Sequence, residues 1–205
     1  PNKIAPTDYS FFIVGNNVSI IALLLHLWFL VLFYYLGVME LFWFNIASCL
    51  LYCFTYYLVQ RGYYNLILFL ISSEIIIHAC LAVYYLGWDT GFHYYIIAVV
   101  PVIFFSALKS NIIKVLSILV ICAIYSAAIF YSSRLPSIYL LEEEIVTKLK
   151  YLNIFSLFIA LSIPAYYYNL AVIKTRRKLE DLNNQLHFLA STDPLTELLN
   201  RRAMN

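Results

Sequence analysis

The sequence predicts an all-α membrane protein: a polytopic bundle of six transmembrane helices followed by a cytoplasmic coiled-coil helix. Three observations lead there. Of 205 residues, 63% are hydrophobic and 12% charged, about half the charged share of an ordinary soluble domain, and mean hydropathy is +0.82. From Phe11 to Ser133 there are six charges, Glu40, Arg61, Glu74, Asp89, Lys109 and Lys114, and the other eighteen sit toward the ends. A soluble core of this size cannot hide that much apolar surface. The two-residue alternation of a membrane β-barrel is also absent. Residues 1–173 therefore read as a membrane domain, which excludes a soluble enzyme there.

A hydrocarbon core about 30 Å thick needs roughly 20 apolar residues at about 1.5 Å each. Six segments qualify, near 18–37, 38–60, 63–87, 93–109, 111–133 and 151–173. Their breaks are Gly37, Arg61-Gly62, the loop Gly87 to Gly91, Lys109-Ser110-Asn111, and the long stretch from Ser133 to Lys150. The first span is as long as the rest and no small-residue cleavage site closes it, so it reads as an anchor and not as a signal peptide. With both termini in the cytoplasm, the inner loops and flanks collect Lys3, Arg61, Lys109, Lys114, Lys174, Arg176, Arg177 and Lys178, against Arg134, Lys148 and Lys150 outside. That asymmetry satisfies the positive-inside rule. The expected location is a bacterial inner membrane, among lipid and away from nucleic acid.

Pro101 and Pro164 fall inside the fourth and sixth spans, where proline kinks a helix. Cys49, Cys53, Cys80 and Cys122 lie within spans and read as small hydrophobes rather than disulfide partners. The tyrosine pairs near the span ends read as interface anchors.

After Val172 the composition turns polar, with ten charged residues from Lys174 to Asn205. Leu179, Leu182, Leu186 and Leu189 are spaced three, four and three, and the register extends back through Thr175 to Val172. This is the a/d seam of a coiled coil over 174–190, too short to dimerise strongly alone. It suits a rigid connector in a homodimer.

Residues 191–205 follow directly, and Asp193-Pro194-Leu195-Thr196-Glu197-Leu198-Leu199-Asn200-Arg201-Arg202 resembles the D-x-L-T-G-L-x-N-R-R opening of GGDEF domains, the catalytic domains of diguanylate cyclases. Asp193, Leu195, Thr196, Leu198, Asn200, Arg201 and Arg202 fit that pattern, and Glu197 replaces its glycine. The resemblance covers about fifteen residues. It implies a receptor whose output is cyclic di-GMP, with GTP and Mg2+ used by a catalytic domain further on. It also implies that Asp193 and Arg201 or Arg202 fix the turn joining coiled coil to catalytic domain. The GG[DE]EF signature is not within the 205 residues and no phosphate-binding G-x-x-x-x-G-K-[ST] loop occurs, so this segment is expected to be inactive alone.

Candidate ligand residues are polar groups inside the bilayer, each costly unless paired. Glu74 and His78, four apart, share one face of the third span. They lie about 20 and 13 Å inside the break at Gly87, and His26 of the first span falls at a depth within a turn of Glu74. Three readings stand open: a polar pair pinning helices together, a site orienting a hydrophobic or amphiphilic small molecule, or a haem or metal site using His26 and His78. The loop Trp88, Asp89, Phe92 and His93 is the candidate mouth of such a site, beside the plainer reading of an interfacial aromatic belt. Glu74-x-x-x-His78 followed by this G-W-x-x-G-F loop is weakly similar to the six-helix sensors of some bacterial quorum-sensing kinases and membrane adenylyl cyclases. A small transporter or channel is the rival from another class, disfavoured by the single acid deep in the bilayer, Glu74, and by the coiled-coil exit.

Overall fold

The computed structural model describes residues 9–104, 108, 110–192 and 198. Among them are six α-helices, α1 Tyr9–Tyr35, α2 Met39–Arg61, α3 Tyr64–Leu86, α4 Tyr94–Phe104, α5 Asn111–Ser132 and α6 Glu143–Ser191, with one 3-10 turn at Trp88–Thr90 and no strand. Five of them, all but α4, are long and apolar enough to cross a membrane. The eleven described residues of α4 form a shorter apolar helix; the predicted fourth span, 93–109, runs on into 105–107 and Lys109, which lie outside the described residues. The GGDEF-like positions Asp193, Arg201 and Arg202 lie outside them too.

Breaks predicted at glycines are helix ends for a local reason. Gly62 adopts φ 80° and its N–H reaches the carbonyls of Leu58 and Val59, the left-handed cap that terminates a helix where other residues pay a steric penalty. Two boundaries differ from expectation. α1 begins at Tyr9, nine residues before the predicted span. α6 begins at Glu143, eight residues before its span, because the acidic run that reads as loop places Glu143 and Glu144 in a first helical turn, where carboxylates oppose the helix dipole favourably.

Helix contacts close a ring in the order α1, α2, α3, α4, α6 and back to α1, while α5 rests outside on α3 and α4. Only Ile121 of α5 is buried, and Ile112, Val115, Leu119 and Phe130 are exposed, as suits a helix facing lipid. α6 runs 49 residues without a break, through Pro164 and past the apolar zone to Ser191. Leu179, Leu182, Leu186 and Leu189 on its free length are all exposed in the single chain.

The end of the bundle remote from the α6 C-terminus is closed by polypeptide. The backbone N–H groups of Ile138 and Tyr139 donate to the carbonyls of Tyr84 and Tyr85 at 3.4 and 2.8 Å, satisfying orphan acceptors at the end of α3. The Tyr139 hydroxyl donates to Glu40 Oε2 at 2.8 Å, and that bond raises the phenol pKa above its ordinary value.

Candidate functional site

Glu74 sits on α3 inside the ring, 6% exposed, and two neighbouring helices supply its partners. His26 of α1 lies with Nε2 at 3.1 Å from Oε1, and Ser48 of α2 donates to the same oxygen at 2.6 Å. Tyr52 of α2 donates to Oε2. His26 Nδ1 faces the Ala22 carbonyl at 2.7 Å, an acceptor only, so Nδ1 carries a proton. A second proton then lies between His26 Nε2 and Glu74, and the pair is neutral overall whichever atom holds it.

His78, one turn along α3 from Glu74, is 4% exposed. Its ring lies 5.0 Å from that of His26 and within an aromatic cage: Phe29 stacked at 5.8 Å, Phe33 at 5.9 Å, Phe44 at 5.8 Å and Phe92 at 6.2 Å. Its Nε2 is buried without a hydrogen-bond partner. The structure thus brings His26, Glu74 and His78 together.

It also shows a feature the sequence reading missed. Asn45, Ser48, Tyr52 and Thr55, spaced three, four and three, form the buried polar stripe of α2. Asn45 donates to the His26 carbonyl, and Thr55 shares a hydrogen bond with Ser19 of α1 at 3.1 Å. Helical spacing of the polar residues within an apolar span was the available signal.

Beside the cluster is a cavity of about 90 Å3 walled by all five ring helices. His26, Tyr52, Glu74 and His78 supply its polar pole, Tyr95, Ala98 and Pro101 a wall from α4, and Ala160, Leu161 and Pro164 a wall from α6. The rest of the lining is apolar.

None of the lining comes from Trp88, Asp89, Phe92 or His93, so the segment expected to form a mouth is placed otherwise. His93 is buried, stacked on Trp88 at 3.8 Å, and its Nδ1–H donates to the Trp88 carbonyl at 3.1 Å. Asp89 is exposed. Phe92 is fully buried and enters the His78 cage. Two glycines at positive φ, Gly87 and Gly91, allow this folded plug.

Asn153, also missed, ties the plug to α6. It is fully buried, donates to the Thr90 carbonyl at 2.9 Å, and accepts from the hydroxyl of Tyr95, a cavity residue, at 3.3 Å. Asn153→Leu strands both partners, and we expect a loss of about 1–3 kcal/mol, read as a lower unfolding midpoint of the reconstituted protein.

The arrangement does not fit a haem ligated by His26 and His78. Both nitrogens of His26 are engaged, and ring centres 5.0 Å apart leave no room for a porphyrin between them. Among the described residues no group of three or more His, Cys, Asp and Glu side chains is placed to hold a metal ion. All four cysteines are free thiols. Comparison with known protein families, curated proteins and solved structures finds no match to this chain.

Proposed function

We propose that the chain is the sensor and transmission part of a homodimeric bacterial inner-membrane receptor, with N- and C-termini in the cytoplasm. Its helix ring takes up a hydrophobic or amphiphilic small molecule and controls a diguanylate cyclase domain through the coiled coil over 174–190. The observation that carries the reading is the position of α6. This helix supplies one wall of the cavity through Ala160, Leu161 and Pro164 and continues unbroken to Ser191, where the GGDEF-like motif begins.

Proline supplies the mechanical part. Pro164 has no N–H to donate, so α6 lacks one backbone hydrogen bond beside the cavity, and the helix is most easily bent where a ligand would press. An occupant that alters the seating of α6 on α1 then shifts or rotates the leucine seam beyond the membrane.

The gene tests the output half of this reading. Beyond the codon for Asn205 it should encode roughly 150 further residues, a domain of typical size, carrying a GG[DE]EF-like signature. A natural stop codon there would sink the cyclase assignment.

A further inference from the structure

We infer that the molecule the cavity accepts has an uncharged, hydroxyl-type head, which hydrogen-bonds to His78 Nε2, and an apolar tail. The inference rests on the cavity being a ligand site, as proposed above, and it adds the chemical class of the ligand.

The polar pole of the cavity is almost fully self-satisfied. Both nitrogens of His26 are engaged, by Ala22 and by Glu74. Glu74 Oε1 has two partners, His26 and Ser48, and Oε2 accepts from Tyr52. The pair is neutral as it stands, so an anionic or cationic head would bring a single uncompensated charge into the membrane interior, the costliest group to place there.

His78 is different. It lines the cavity, is 4% exposed, and its Nε2 has no partner. A buried unpaired polar atom is worth explaining, and a ligand hydrogen bond would supply what it lacks. A neutral imidazole Nε2 either donates or accepts according to the tautomer, and a hydroxyl answers both. Where Nε2 donates, the hydroxyl's single proton is left for the remaining lone pair on Glu74 Oε2.

The space, about 90 Å3 and partly open, takes several water-sized groups, since about 10–15 Å3 is enough for one. It holds a head and a few carbons, and a longer tail continues along the apolar lining, past Val18, Pro101 and Pro164, toward the lipid.

The test uses the chain in vesicles of phosphatidylethanolamine and phosphatidylglycerol, with three ten-carbon photoaffinity probes that carry a diazirine in the tail. One ends in a primary alcohol, one in a sulfonate and one in a trimethylammonium, so the charges are fixed at every pH. Labelled peptides are mapped by mass spectrometry. The expected result is labelling of the α4 and α6 segments around Pro101 and Pro164 by the alcohol, suppressed by excess 1-decanol. The charged probes should label there about a hundredfold less. His78→Leu should cut labelling by the alcohol about tenfold, and the comparison of the three heads on the unaltered chain decides the matter even where that variant does not fold.

Equal or stronger labelling of the cavity by a charged probe would overturn the head assignment while leaving the cavity a ligand site. If all three probes mark the α4 and α6 segments no more than the lipid-facing surface of α5, the cavity is not a site for amphiphiles, and the proposed ligand class falls with it.

Discussion

Glu74→Leu should lose about 3–5 kcal/mol of stability, the usual consequence of removing one partner from a buried charged pair. The change leaves His26 Nε2, the Ser48 hydroxyl and the Tyr52 hydroxyl without the acceptor they share, in an environment where water does not replace it. Typical total stabilities are about 5–15 kcal/mol, so the variant should accumulate poorly and unfold at markedly lower denaturant. Glu74→Gln keeps a carbonyl acceptor and should recover part of the loss. His26→Leu combined with Glu74→Leu should cost less than the two single changes summed, since the two residues belong to one network. Equilibrium unfolding of the purified protein in bicelles measures all three. A Glu74→Leu effect below about 0.5 kcal/mol, the level of an ordinary surface substitution, would mean that the cluster does not hold α1, α2 and α3 together.

Much of this site was legible before any coordinates. A carboxylate inside an apolar span needs a partner, and His26 was the residue of matching depth on another helix. Helix-ending glycines at Gly37 and Gly62 marked the first two hairpins for an equally local reason. What escaped was tertiary. Ser48, Tyr52 and Thr55 carry hydroxyls that cost little in a membrane helix, so their shared face drew no attention until Glu74 was seen against it. Phe92 reads as part of a loop belt because nothing local says that its ring enters the His78 cage. Asn153 falls inside the predicted sixth span, but nothing local says that its amide meets the Thr90 carbonyl, 63 residues away in sequence.

In the proposed receptor the state of the cavity travels along α6 as a rigid helix. Ala171, buried on the bundle, and Leu189 of the seam are eighteen residues apart, which at 100° per residue is five whole turns, and the same separation relates buried Pro164 to Leu182. The seam therefore continues the side of α6 that is seated on the bundle, and any rotation of that seat reaches the seam. Four residues inserted after Lys178 turn everything beyond by about 40° and partly unwind a supercoil, whereas seven restore the phase to within about 20° while lengthening the helix by about 10 Å. The deciding measurement is cyclic di-GMP synthesis by membranes holding the chain together with the catalytic domain proposed to follow it, in the original and the two insertion forms, with and without 1-decanol. We expect the four-residue insertion to lock or invert the response and the seven-residue insertion to keep it; equal behaviour of the two would contradict transmission through helix phase and make the segment after Lys178 a passive tether.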